Sequence, residues 1–211
     1  VHRDWHRFNR WAPSYDRHWM QRVIFEPVQR TVLALAESEA AQPASILDVG
    51  CGTGRLLRSA AGRFPHARLV GVDAAGEMVR QAQALTPDGA VTFREGPAEA
   101  LPFDDDAFDL IFSTLTFHHW SDQRGAIREV ARVLAPGGTW LLADFMATGL
   151  VRSIRRLLRL RQFPDRSTLD PMLATAGLAV VGGRRVPGFG GQLGVLVIGP
   201  GRQARLEDST Q

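Results

Sequence analysis

The chain has 211 residues, is 45% hydrophobic and carries a formal charge of only +3. Those values suit one domain with a real core and a modest extra segment, and they exclude an argument for nucleic-acid binding from charge alone. Lys is absent, so all 25 basic residues are Arg, which lifts the pI to about 10.2.

No run approaches the ~20 apolar residues of a membrane span. The first residues, Val1-His2-Arg3-Asp4-Trp5-His6, form no apolar export signal, and the single Cys51 cannot make an intrachain disulfide. The expectation is a cytoplasmic protein.

Residues 1–42 are rich in aromatics and Arg, with Trp5, Phe8, Trp11, Tyr15, Trp19 and Phe25. Helical periodicity runs from Trp19 to Glu39, and Pro27 begins a new helix within it. This stretch precedes the first strand and is expected to be a helical lid over the pocket or the sheet edge. Gln42-Pro43 marks the boundary with a core spanning 43–199.

From there strand and helix alternate. Strands are expected at Ser45–Val49, Arg68–Asp73, Ala90–Glu95, Phe108–Ser113 and Thr139–Asp144. Helices are expected at Thr53–Phe64, Gly76–Leu85 and Gln123–Leu134, the last closed by Pro136-Gly137-Gly138. Such alternation implies a Rossmann-like, doubly wound, mostly parallel sheet of α/β class with ligands at its carboxyl edge. Asp48, Asp73, Glu95, Ser113 and Asp144 end strands on that edge.

Residues 148–166 contain an amphipathic helix, with Leu150, Val151, Ile154, Leu157 and Leu158 on one face and Arg152, Arg155, Arg156 and Arg159 on the other. It is a candidate substrate cap or peripheral membrane contact; the plainer reading is a packed helix with a solvated Arg face. A short helix at Thr168–Ala176 follows. Val180–Val186 and Leu193–Ile198 read as an antiparallel hairpin, completing seven strands. Residues 200–211 are polar and expected to be a flexible tail.

The chemistry concentrates at Asp48-Val49-Gly50-Cys51-Gly52-Thr53-Gly54. Alternate glycines let the chain turn tightly and let a ligand touch the main chain. A dinucleotide fingerprint needs G-x-G-x-x-G, but Arg55 stands at its third glycine. A carboxylate two residues before the turn repels a pyrophosphate and favours a ligand with a cationic group.

This turn resembles the first motif of the class I S-adenosylmethionine-dependent methyltransferases, of the small-molecule and quinone-biosynthesis type. The resemblance continues in order through Val72-Asp73 with Met78, through Gly96-Pro97-Ala98-Glu99-Ala100-Leu101-Pro102-Phe103, through Phe108–Ser113 with His118-His119-Trp120, and through Arg128–Gly138. It spans roughly Ser45 to Asp144 and implies S-adenosylmethionine as cofactor, with S-adenosylhomocysteine as product.

The resemblance implies a cofactor site of Tyr15, Asp48, Gly50, Cys51, Gly52, Gly54, Asp73, Ala74, Met78, Gly96, Pro97, Ala98, Glu99, Ser113 and His118. Asp73 would take the ribose hydroxyls, and Asp48 the methionine amino end; alternatively Asp48 caps the turn. Tyr15 would cover the cofactor or merely pack the lid. Where the family often has Asp after the loop glycine, this chain has Pro97. Adenine then falls to the Ala98 backbone, to Glu99 and to walls from Ala74, Met78 and Leu101, and weaker cofactor binding is expected.

His118 and His119 are the candidate bases, or else packed loop residues. No Cys/His cluster suggests a metal. Cytosine-type C5 methylation is argued down because Cys51 belongs to the turn. Amino-directed nucleic-acid methylation lacks its motif, since Ser113-Thr114-Leu115-Thr116 stands there, and the paired glutamates of arginine methylation are missing. The expected function is methyl transfer to an O or C atom of a small molecule, a quinone precursor or a secondary metabolite, by a monomer or homodimer. A non-catalytic cofactor-binding protein and an NAD-type oxidoreductase are the alternatives.

Overall fold

A computed structural model describes residues 12, 19–40, 42–87, 89–145, 165–189 and 191–201. Its centre is a seven-stranded sheet in the order β3-β2-β1-β4-β5-β7-β6. The strands are β1 (Ser45–Val49), β2 (Arg68–Asp73), β3 (Thr92–Glu95), β4 (Phe108–Thr114), β5 (Leu134–Phe145), β6 (Leu178–Arg185) and β7 (Leu193–Pro200). β1 to β5 pair in parallel, whereas β7 is antiparallel to both β5 and β6. The mostly parallel sheet and the C-terminal hairpin are as the sequence led one to expect.

The continuous apolar runs have a plain cause: both faces of the sheet are buried, so both parities of each strand are apolar. Ile46, Leu69, Leu110, Phe112, Leu141 and Ala143 belong to one core cluster, whereas Leu47, Val70, Ile111, Trp140 and Leu142 belong to another. The first is closed by helix α1 (Glu26–Glu39) through Val28, Val32, Leu33 and Leu35, with help from α2 (Arg55–Ala61) and α3 (Gly76–Ala84). The second is closed by α4 (Gln123–Val133) through Ile127 and Val130 and by α5 (Arg166–Thr175) through Leu169 and Leu173.

α1 continues directly from a π-helical turn at Gln21–Phe25, and Pro27 sits in its first turn, where a missing N–H costs nothing. The described part of the segment expected as a lid is therefore divided. α1 is built into the core, and the residues just before it reach the carboxyl edge of the sheet. Tyr15 and Arg152–Arg159 lie outside the described residues.

One boundary differs from expectation. Pro136-Gly137-Gly138 does not close a helix. α4 ends at Val133, Leu134 already pairs with Phe108, and the three residues form an irregularity inside β5 before Thr139 pairs with Leu110. Gly137 takes φ +76°, and a side chain at 138 would press on the carbonyls of Ala135 and Asp109. The glycines serve a close backbone crossing rather than a helix stop.

The strand order reverses between β1 and β4, because the β1–β2–β3 units build one way and β4 starts on the other side of β1. This switch point leaves a crevice at the carboxyl ends of β1 and β4. Among the described residues no helix is long and apolar enough to cross a membrane.

Candidate cofactor and transfer site

The crevice is lined by the turn after β1 (Asp48 to Thr53, with Arg55 and Leu56), the end of β2 (Asp73, Ala74, Ala75 and Met78) and the segment after β3 (Gly96 and Ala98). Thr114, Leu115, Thr116, His119 and Trp120 come from the segment after β4, and Gln21, Phe25 and Gln29 from the N-terminal side. The turn folds back because the N–H groups of Gly50 and Cys51 both donate to the Val72 carbonyl, at 2.8 and 3.0 Å. Gly50, at φ +79°, lies so close to Thr116 that any Cβ there would overlap its side chain. Gly54, at φ +75°, ends the turn and begins α2.

Asp73 is tied to this turn. Its carboxylate accepts the Gly52 N–H and the Ala75 N–H, each at 2.8 Å. Burial pushes its pKa up, the two N–H groups pull it down, and Glu95 adds repulsion.

Asp48 is more exposed to chemistry than to water. Its side chain is buried, and Oδ1 has no hydrogen-bond partner. Burial, and then the Asp73 charge, raise its pKa from 3.8 to about 8. A buried carboxylate oxygen without a donor is costly. It is relieved by a ligand that brings a cationic N–H or a positive centre to it.

Cys51, between these carboxylates, is held as a thiol: burial pushes its pKa up, and Asp73 and Asp48 push further. It is a small packing residue of the turn, with no thiolate to offer as a nucleophile.

The segment after β3 is clamped from behind. Glu129 accepts the Leu101 N–H at 2.8 Å, and Arg132 donates to the Leu101 and Phe103 carbonyls at 3.0 and 2.8 Å. Glu99 accepts from the Ser121 and Asp122 N–H groups at 2.7 and 3.0 Å.

Of the residues expected at the cofactor, Asp48, Gly50, Cys51, Gly52, Asp73, Ala74, Met78, Gly96 and Ala98 meet in the crevice, and the candidate base His119 joins them. Gly54, Pro97, Glu99, Ser113 and His118 are not among its lining residues. Gly54 faces the Phe93 ring. Glu99 spends its carboxylate on the loop after β4. Ser113 points into the second core cluster, where its Oγ accepts from Trp140 Nε1 at 3.1 Å, because strand parity puts it on the face of Ile111. Leu101 is buried behind the wall rather than in it.

Sequence reasoning passed over Thr114, Leu115 and Thr116. Leu115 takes φ +55°, a strained conformation for a side-chain-bearing residue, held by its N–H bond to the Ala143 carbonyl at 2.8 Å. The available signal was their position directly after a core strand; residue type alone carried none.

Comparison with known proteins decides the family. A model described as "methyltransferase domain" matches residues 47–142. The demethylmenaquinone methyltransferase of Thermus thermophilus is 34% identical over 207 residues, covering 82% of this chain and 91% of that protein. This chain belongs to the class I S-adenosylmethionine-dependent methyltransferases.

Two further relatives are an uncharacterized Bacillus subtilis methyltransferase, YcgJ (40% identical over 128 residues, 59% of this chain and 49% of that one), and the malonyl-[acyl-carrier protein] O-methyltransferase of Geobacter sulfurreducens (38% over 141 residues, 65% and 51%). The chain thus spans about half the length of these two. The crystal structure of YcgJ superposes with a TM-score of 0.65 at 27% identity, over 80% of this chain and 97% of that one.

The site fits the family's cofactor, S-adenosylmethionine. The bare Asp48 oxygen suits its cationic end, the Asp73 carboxylate suits ribose hydroxyls, and the glycine turn gives room for close approach.

Proposed function

We propose that this chain transfers a methyl group from S-adenosylmethionine to an oxygen or carbon atom of a small molecule. The observation that carries the proposal is Asp48, a buried carboxylate with one oxygen unpartnered beside a turn whose Gly50 leaves no room for a side chain. When bound, the cofactor supplies a methyl group already activated on a sulfonium.

The protein's own work is alignment. Asp48 holds the cationic methionine end and so orients the donor. Asp73, held by Gly52 and Ala75, fixes the ribose. Ala74, Met78 and Ala98 wall the adenine side, and Ala98 backbone groups stand in for the acidic residue that Pro97 replaces. Gln21, Phe25 and Gln29 narrow the opening from the N-terminal side, which supports a covering role for the turn before α1 and the start of that helix. Keeping water out and the acceptor in line with the methyl group is where such a site gains its rate.

A quinone precursor is the first acceptor class to try. A relative that this chain matches over 91% of that protein's length is named for demethylmenaquinone. The Geobacter relative, named for an O-directed reaction on a protein-bound malonyl group, supports oxygen as the second choice. A secondary metabolite fits the same chemistry, and a cytoplasmic setting suits either.

The test is transfer of labelled methyl from S-adenosylmethionine to a polyprenyl 1,4-naphthoquinol and to catechol, with product identification. Label in either product supports the proposal. Tight binding of S-adenosylhomocysteine with no transfer to these probes or to any compound of a source-cell extract points instead to a non-catalytic cofactor-binding protein.

A further inference from the structure

Beside the cofactor crevice, at the ends of β4 and β5, stands a second polar pair. Asp144, the penultimate residue of β5, is 1% exposed. The His118 ring is 12% exposed, and its Nδ1 lies 2.8 Å from Asp144 Oδ1 and 3.0 Å from Oδ2. The two residues are brought together by the sheet: β4 and β5 pair in parallel through Thr114 and Ala143, and a short 3-10 turn at Phe117–His119 carries His118 back over the strand ends.

The proton arrangement follows from the partners. Asp144 Oδ1 accepts the Phe145 N–H at 2.7 Å, and Oδ2 accepts the His118 N–H at 3.1 Å. Two backbone N–H groups thus point at the two oxygens, a setting that suits a carboxylate accepting a third N–H from the ring nitrogen facing it. With Nδ1 as that donor, Nε2 is the nitrogen left to act as a base.

The ring lies against that of His119, centroid to centroid 4.0 Å, and His119 lines the crevice. A buried carboxylate paired with a histidine whose ring packs on a crevice-lining residue is an arrangement that can orient a base and steady the imidazolium it becomes.

We propose that His118, positioned by Asp144, is the general base of the transfer, and that the acceptor is therefore protic: a hydroxyl, or a ring C–H made acidic by neighbouring hydroxyls. This rests on the methyltransferase reading above. In the step, the acceptor's O–H or C–H bond breaks and its proton goes to His118 Nε2. The freed electron pair forms the bond to the methyl carbon, and the C–S electrons remain on sulfur, leaving a neutral thioether. The imidazolium then gives its proton to water. An amine acceptor, whose lone pair attacks before any proton leaves, has no need of this base.

The test has three arms, applied to the full chain and to His118→Gln, Asp144→Asn and Asp144→Glu. Thermal stabilisation by S-adenosylhomocysteine comes first: none in the unsubstituted protein overturns the methyltransferase reading itself. The second arm is the nitrogen NMR of the histidine rings without any ligand. The proposal expects His118 as the Nδ1–H tautomer, shifting toward a mixture in Asp144→Asn and returning in Asp144→Glu. An Nε2–H tautomer, or one indifferent to Asp144→Asn, overturns it even if no acceptor has been found.

The third arm is labelled-methyl transfer to the naphthoquinol and catechol probes. His118→Gln should lose about 100-fold in turnover while S-adenosylhomocysteine affinity stays within about threefold. Asp144→Asn should lose about tenfold, and Asp144→Glu should recover part of it. Turnover retained in His118→Gln overturns the base assignment and leaves the methyltransferase reading standing.

Discussion

The two sides of the crevice are built differently. The side formed by β1, β2 and the segment after β3 is a backbone site: glycine turns, N–H groups and two carboxylates held by strand ends. The side formed after β4 and β5 is a side-chain site, with Thr116, His119, Trp120 and, behind them, the His118–Asp144 pair. In the proposed reading the first fits one cofactor and leaves a strict spacing in the sequence, whereas the second fits an acceptor, and each acceptor asks for different side chains. Family membership therefore speaks for the first side and leaves the second to experiment.

Substitutions on the two sides should separate accordingly. The largest effect is expected from Gly50→Val. It puts a β-branched residue at φ +79° and into Thr116. S-adenosylhomocysteine binding should disappear in calorimetry, with a loss of stability of about 3 kcal/mol or more in urea titration.

Next come the two carboxylates, which should move stability in opposite directions. Asp73→Ala strands the Gly52 and Ala75 N–H groups and should cost about 2 kcal/mol as well as most of the cofactor affinity. Asp48→Asn removes a group that is costly to bury. The cofactor-free protein should melt several degrees higher, while affinity for S-adenosylhomocysteine falls by about tenfold to 100-fold. If both variants moved stability the same way, Asp48 would not be the strained member of the pair.

The pH dependence has a definite sign. The folded value for Asp48, about 8, lies above its ordinary 3.8, so the folded state keeps a proton that the unfolded chain has lost. Its contribution to stability is favourable at low pH and declines as pH rises from about 4 to about 8, then levels. A ligand cation favours the ionised form. Binding of S-adenosylhomocysteine through its ammonium should therefore release a proton below about pH 8 and tighten as pH rises toward that value. Calorimetry in buffers of different ionisation enthalpy reads the release directly, and Asp48→Asn should abolish it.

The smallest effect is expected behind the wall. Arg132→Ala releases the Leu101 and Phe103 carbonyls and the Glu129 partner, and should cost about 1–2 kcal/mol with only a few-fold loss of cofactor affinity.

How much of this was legible follows the same division. Gly50 and Gly52 could be placed from sequence because the turn needs positive φ at both, and Asp48 and Asp73 because their spacing from that turn matches the motifs they resemble. The strands could be placed because two buried faces need unbroken apolar runs, as in Leu110-Ile111-Phe112. Pro136-Gly137-Gly138 misled because a glycine that stops a helix and a glycine that permits a backbone crossing look alike in sequence. Ser113 looked like a site residue because it is polar at a strand end; only strand parity and the Trp140 indole show that it faces the core. The partnership of His118 with Asp144 spans 26 positions and depends on the pairing of β4 with β5. Sequence supplied both residues but not their meeting.

The central claim is that the turn after β1 seats a nucleoside bearing an ammonium group and not a pyrophosphate. Thermal unfolding with saturating S-adenosylhomocysteine and, separately, with NAD tests it most directly. The account predicts stabilisation of several degrees by S-adenosylhomocysteine, much reduced in Asp48→Asn, and none by NAD. Stabilisation by NAD alone would contradict it.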